Sequence, residues 1–299
     1  MIQELFDIYR RNFPFILRQK ETVLQILSND ANIVLEHRNE KNTLIGAAVI
    51  NKNTILLFCV DAEYRKRGIG TRLLAMAENT IKDNGYSQVV IGAGFDYIMP
   101  GVPTSKRYFA SENEALCFGV DDTASDFFEK RGYRHSWNCN CFDMCLPLNT
   151  FSGNAYDVGD TIDGITYRWA ALNDLDSICV CTDDAYQEFT GFYQDKTLYA
   201  DNKNIKVLVA VAHNEVVGTL IVKLEDDEAC LGSAGCTTVK RAYQGKHIAV
   251  RLVTIATKYL RDIGVREAYL SYTYSGLDHM YGYAGYKISV YYMMAVREL

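Results

Sequence analysis

Leu56-Leu57-Phe58-Cys59-Val60-Asp61-Ala62-Glu63-Tyr64-Arg65-Lys66-Arg67-Gly68-Ile69-Gly70-Thr71-Arg72-Leu73-Leu74 is the stretch on which the reading of this 299-residue chain turns. Its opening belongs to Thr54–Val60, a short apolar run that reads as a strand. Its end starts a helix from Gly70 to Asn84, with Leu73, Leu74, Ala77 and Ile81 on one face. Gly85 stops that helix before a further strand, Gln88 to Ile91. Between strand and helix, Arg65-Lys66-Arg67-Gly68-Ile69-Gly70 presents unpaired backbone N–H groups at the positive end of a helix dipole. The glycines let backbone approach an anion without a Cβ in the way, and the three cations can add charge-assisted hydrogen bonds. Cations at a helix start oppose its dipole, so a bound anion gives the run its physical reason. A pyrophosphate fits. The loop lacks the Gly-Lys-Ser/Thr of a Walker A motif and the third glycine of a dinucleotide fingerprint.

Upstream, residues 2 to 29 carry apolar positions at helical spacing (Leu5, Ile8, Tyr9, then Val23, Leu24, Leu27), which predicts two helices. Strands Asn32 to Glu36 and Thr43 to Ile50 then lead into Thr54–Val60 as an antiparallel meander. The second half repeats the order. Strands are expected at Ile165 to Ala170, Lys206 to Ala212, Val216 to Leu224 and Cys230 to Val239, with helices between the first two and a helix after the last. Tyr64-Arg65 falls on Tyr243-Gln244, an offset of 179 residues, and the same offset carries Leu73, Leu74, Ala77, Ile81 and Gly85 onto Leu252, Val253, Ala256, Leu260 and Gly264. This is an internal duplication, and it defines two domains. Asn149 to Gly164, rich in Gly, Asn, Asp, Thr and Ser, reads as the linker, so the expected domains are 1–149 and 150–299. The first carries an extra segment, roughly Asp96 to Val120, placed to cover something.

A formal net charge of -6 argues against the broad positive field that gives non-specific affinity for nucleic acid or anionic membranes, so any anion site is local. Nine cysteines without paired zinc spacing point to a reduced, cytoplasmic protein with no metal. Alternation through Trp137-Asn138-Cys139-Asn140-Cys141-Phe142 predicts a strand with Cys139 and Cys141 on one face. Neither a signal peptide nor a membrane span is expected. His213 and His279 read as surface groups.

The run from Leu56 to Leu74 resembles the acetyl-CoA-binding motif of the GNAT family of N-acetyltransferases. Each half adds a late element similar to that family's, Ala124-Ser125-Asp126-Phe127-Phe128-Glu129-Lys130-Arg131-Gly132-Tyr133 and Met280-Tyr281-Gly282-Tyr283-Ala284-Gly285-Tyr286. The resemblance implies an α/β (α+β) fold class with two GNAT-like domains, each a mixed, mostly antiparallel sheet flanked by helices. It implies acetyl-CoA as co-substrate, held by Phe58, Cys59, Val60, Arg65, Lys66, Arg67, Gly68, Ile69, Gly70 and Thr71. The implied chemistry is direct attack of a small-molecule amine on the thioester, with a base, an acid and a backbone oxyanion donor. The family's phenol position is Phe128 in the first domain and Tyr281 in the second, whereas the glycine of the loop is Gly68 in the first and His247 in the second. Tyr281 is therefore the candidate acid and Asp96 the candidate base, with Tyr97 and Tyr108 as further candidates. The competing reading is a non-catalytic acyl-CoA-binding or regulatory protein.

Overall fold

The computed structural model describes residues 1–92, 97–110, 120–157, 159–200, 204–226 and 231–299. In chain order the elements are α1 (Ile2–Asn12), α2 (Lys20–Leu27), β1 (Ile33–Arg38), β2 (Leu44–Asn51), β3 (Thr54–Val60), α3 (Ile69–Asp83), β4 (Gln88–Ile91), β5 (Val102–Thr104), α4 (Thr123–Glu129) and β6 (Arg134–His135). Next come β7 (Cys141–Pro147), β8 (Thr161–Ile162), β9 (Ile165–Trp169), α5 (Leu175–Ala185), α6 (Thr190–Tyr193), β10 (Ile205–Ala212), β11 (Glu215–Asp226) and β12 (Leu231–Val239). The chain ends with α7 (Ile248–Asp262), β13 (Glu267–Tyr274), α8 (Asp278–Tyr283), β14 (Lys287–Met293) and β15 (Ala295–Glu298). The fold is α/β, as expected, with mixed sheets flanked by helices.

Two compact units result. The first takes the described residues up to Phe142 together with Val290–Leu299, and the second takes Asp143–Ser289. In the first, a six-stranded sheet runs β1-β2-β3-β4-β15-β6. The β1–β2–β3 meander is antiparallel, and β3 pairs with β4 in parallel at Thr54↔Val90 and Ile55↔Ile91. The last strand of the chain pairs with β4 through Val296↔Val90, and β5 pairs with β14 through Pro103↔Tyr292. In the second unit β13-β12-β11-β10-β9-β8 lie in that order, with β7 beyond β13. There too the central parallel pair is short, Leu231↔Glu267 and Gly232↔Ala268, although both strands continue well past it.

Burial explains why these residues form these elements. Leu5, Ile8 and Tyr9 are the buried stripe of α1, while Leu73, Leu74, Ala77 and Ile81 are that of α3. Strand β2, an unbroken apolar run, is buried on both faces between helices. The offset repeats at atomic detail. A Cβ at Gly46 would lie 3.1 Å from Leu73 Cδ1 and 3.2 Å from Ile69 Cγ2, and one at Gly218 would lie 2.8 Å from Ile248 Cγ2 and 3.2 Å from Leu252 Cδ1. Ile248 and Leu252 are the counterparts of Ile69 and Leu73. In both units a glycine on the second strand of the meander lets the helix that follows the meander approach the sheet.

One sequence expectation fails. Residues 137–140 form a bend, and β7 begins only at Cys141. The Asn140 amide accepts from the backbone N–H of Tyr108 and Phe109 and donates to the Phe109 carbonyl, an alternative to ladder pairing. Cys139 and Cys141 therefore do not share a strand face, and Cys141 and Cys145 are buried. Among the described residues no group of three or more His, Cys, Asp or Glu is placed to hold a metal ion, and no helix is long and apolar enough to cross a membrane. Gly218→Val should force Ile248 away from the sheet. The expected cost is about 1–3 kcal/mol, read from urea unfolding; an unchanged midpoint would contradict this packing.

Candidate active site

Strand β3 ends at Val60, and Asp61 anchors the chain at the strand's exit. Its N–H donates to the Ile45 carbonyl, and its carboxylate accepts from Arg11 Nη2 at 2.9 Å and Asn12 Nδ2 at 2.8 Å. The chain then makes a turn of 3-10 helix at Ala62–Tyr64, passes Lys66 at φ 61 and reaches Gly68 at φ 78, the N-cap of α3. A left-handed N-cap suits glycine. Gly68 supplies no side-chain cap, and the first turn of α3 contains no acidic residue. The N–H groups that open α3 thus lack both usual partners, a capping side chain and a carboxylate.

They open on a cavity of about 490 Å³. Of the ten residues expected to bind cofactor, Phe58, Cys59, Val60, Arg65, Lys66, Gly68, Gly70 and Thr71 line it. Ile69 and Arg67 do not line it. The Ile69 side chain is buried with Ile45, Val60 and Leu73, so only its backbone faces the loop. Arg67 lies over the Tyr64 ring, 5.3 Å from its centroid, and turns to a separate cleft beside His37, Lys41 and Arg72. Arg65 has a structural task as well: Nε donates to the Val60 carbonyl at 2.9 Å and Nη2 donates to Asn12 Oδ1 at 2.8 Å. The guanidinium ties the loop to the end of β3 and to α1.

A further cation completes the cavity wall. Arg131, just beyond α4, donates to Thr71 Oγ1 at 2.8 Å and to the Phe127 carbonyl at 2.7 Å, and lies 3.7 Å above the Phe127 ring. Sequence reasoning missed Arg131; its place two residues before Tyr133 in the late element was the available signal. Away from the loop the wall is mostly apolar, with Phe13, Phe15, Met99, Val102 and Pro103 joining Phe58 and Phe128, while Asp121 and Thr123 are polar members of the lining. Met99, Val102, Pro103 and Val120 belong to the extra segment, so it does line the cavity. Burial pushes the Cys59 thiol up to about 12, helped by the nearby Asp61 carboxylate.

The remaining candidates are scattered. Asp96 lies outside the described residues. Tyr97 is buried beneath the Arg18 guanidinium, 4.1 Å from its ring centroid. Tyr108 stacks on His135 at 4.4 Å and donates to Glu129 Oε1 at 2.8 Å; burial and that carboxylate raise its pKa. Tyr281, in the second unit, is buried, with its hydroxyl 3.5 Å from Thr237 Oγ1, and burial raises its pKa to about 12. Thr237 is the counterpart of Phe58. The pair Thr237–Tyr281 thus stands where the first unit has Phe58 against Phe128, two rings with centroids 5.4 Å apart. His213 and His279 are exposed.

The second loop repeats the first at backbone level. Gln244 donates to the Val239 carbonyl as Arg65 does to Val60, Lys246 lies over the Tyr243 ring as Arg67 does over Tyr64, and His247 is a left-handed N-cap at φ 59. Histidine is among the non-glycine residues enriched in that conformation.

The family models for the acetyltransferase (GNAT) domain and the acetyltransferase (GNAT) family match residues 12–94 and 169–284 respectively. No protein of curated function matches the chain. Among solved structures, it is similar to the GCN5-related glucosamine N-acetyltransferase region of a fungal multi-domain GH3 beta-N-acetylglucosaminidase (18% identity, TM-score 0.71), covering 99% of this chain and 37% of that one. It is also similar to a tandem GNAT protein from the clavulanic acid biosynthesis pathway (14% identity, TM-score 0.70), covering 99% and 94%. A GCN5-related N-acetyltransferase from Sphaerobacter thermophilus matches at 18% identity and TM-score 0.67, covering 99% and 91%. At these identities the structures show a shared fold, while the two family matches lie on the two halves that the 179-residue offset relates. The chain belongs to the GNAT acetyltransferase family, as an acyltransferase with two such domains in tandem.

Proposed function

We propose that this protein is an acetyl-CoA-dependent N-acetyltransferase that transfers an acetyl group to the amine of a small molecule, with the cofactor in the first domain. The observation that carries the reading is the 490 Å³ cavity joining the uncapped start of α3 to the end of β3 at Phe58–Val60. The pyrophosphate would accept from the N–H groups of the loop, with Lys66 and Arg131 on either side. The pantetheine arm would lie along Phe58–Val60, where backbone groups also polarise the thioester carbonyl as the amine attacks. When bound, acetyl-CoA supplies the activated acyl group; the chain orients it and holds the base. Asp96 is the proposed base. The cavity's mostly apolar lining, with Asp121 in it, and the acidic chain favour a small cationic acceptor. Among the described residues Cys59, Cys145, Cys179 and Cys181 are free thiols, in keeping with the expected cytoplasmic location.

A non-catalytic acyl-CoA-binding role is the second reading, favoured by Phe128. Its ring packs on Phe58 where a phenol would protonate the leaving thiolate, so in the first domain the thiolate leaves unassisted or takes its proton from another group. Tyr281 keeps the phenol and is the proposed acid of the second groove. An acid must be protonated before it acts, and burial keeps this one so throughout the neutral range.

Release of CoA thiol from acetyl-CoA, followed with a thiol reagent across a panel of small amines, tests the choice. At least one amine class should give turnover; tight binding with no release for any amine supports the second reading. Arg131→Ala should raise KM for acetyl-CoA about tenfold, the loss of one charge-assisted contact, with kcat nearly unchanged. Asp96→Asn should lower kcat about 100-fold, the lower end of general-base effects. Difference absorbance of wild type against Tyr281→Phe should place the Tyr281 ionisation near pH 12; an ionisation near the free-tyrosine value would contradict its burial.

A further inference from the structure

The linker between the two repeats lies along one stripe of α7. Asn154 Nδ2 donates to Thr254 Oγ1 at 3.1 Å, Lys258 Nζ donates to Asp157 Oδ1 at 2.8 Å, Arg261 Nη1 donates to the Phe151 carbonyl at 3.2 Å, and Arg251 Nη2 reaches Asp163 Oδ2 at 3.4 Å. Residues 251, 254, 258 and 261 follow helical spacing, and none of them is exposed. Their counterparts on α3, Arg72, Ala75, Asn79 and Lys82, are all exposed. The linker is thus a feature of the second domain without an equivalent in the first.

It also places one ring at the start of α7. Asn154 Oδ1 accepts from the Tyr156 N–H at 2.8 Å and Asn154 O accepts from the Asp157 N–H at 3.0 Å, a local turn that directs the intervening side chain. The Tyr156 ring lies 5.3 Å from the His247 ring and 6.1 Å from the Tyr283 ring, centroid to centroid. In the first domain the corresponding positions are Gly68, which lines the cavity, and Lys130, next in the chain to the wall residue Arg131. His247 and Tyr283 flank the same place in the second domain, and Tyr156 packs against both.

We infer that Tyr156, with the imidazole of His247, occupies the acyl-CoA groove of the second domain and so determines that only the first domain takes the cofactor. The inference rests on the reading that the first cavity binds acetyl-CoA. The groove behind the plug keeps the features that such a site needs. Its central strands part after two residue pairs, its loop repeats the Arg65 and Arg67 contacts through Gln244 and Lys246, and its phenol Tyr281 stands beside Thr237. The second domain is a latent acyl-CoA site held shut by the chain's own linker.

The test is the stoichiometry of acetyl-CoA binding by calorimetry in the full chain. Wild type should bind one equivalent, and the double variant Tyr156→Ala/His247→Gly should bind two. Tyr156→Phe keeps the ring and should still bind one. Should the double variant not fold, as judged by circular dichroism, Tyr156→Ala alone should still add a second, weaker equivalent. One equivalent in both wild type and the opened variant overturns the inference and leaves the first-site reading standing, as do two in wild type or two in Tyr156→Phe. No binding by wild type overturns the first-site reading, and the inference with it.

Discussion

Among the described residues the parallel ladder between β3 and β4 comprises two residue pairs, and the space beside it governs the rest of this structure. Thr54 and Ile55 pair with Val90 and Ile91, and β3 then runs on to Val60 with its backbone facing the cavity. The space beside such a strand must be walled to be more than a solvent-filled slot. The walls are α3, starting at Gly68, and α4, carrying Phe127 and Phe128. The same short ladder recurs between β12 and β13. The two domains differ in what lines that opening.

The duplication separates backbone from side chain. Both loops make the same hydrogen bond back to the end of their strand, the same cation-over-tyrosine contact and the same left-handed N-cap. The residues making them have changed: arginine to glutamine, arginine to lysine, glycine to histidine. Where the first domain has two packed phenylalanines, the second has threonine and tyrosine. The first domain has an open cradle without a phenol, and the second has a phenol with its cradle closed.

Much of this was legible because local periodicity was strong. Thr54–Val60 and Gln88–Ile91 read as strands from their own residues, and the face of α3 declared itself and then its repeat. The loop before α3 stood out as a candidate anion site because glycine and cation placement is unusual at a helix start. What escaped depended on partners distant in sequence. Nothing local announces that Val290–Leu299 returns to the first unit, since β15 is defined by pairing with β4 some 200 residues earlier. Arg131 reads as one more surface cation until α4 brings it to Thr71, and the ties of Arg65 to Asn12 and Val60, which hold the loop to α1 and β3, are not visible in the sequence. The bend at 137–140 was hidden because Asn140 spends its amide on residues about 30 positions away.

The central claim is that the loop from Arg65 to Gly70 holds acetyl-CoA and its counterpart at Gln244 to Ala249 does not. Calorimetric titration of acetyl-CoA into Gly68→Trp and His247→Trp, both checked for folding by circular dichroism, tests it most directly, because an indole at either position fills the space a pyrophosphate needs. The predicted result is binding abolished in Gly68→Trp and unchanged in His247→Trp. Binding that survives Gly68→Trp, or is lost in His247→Trp, would contradict it.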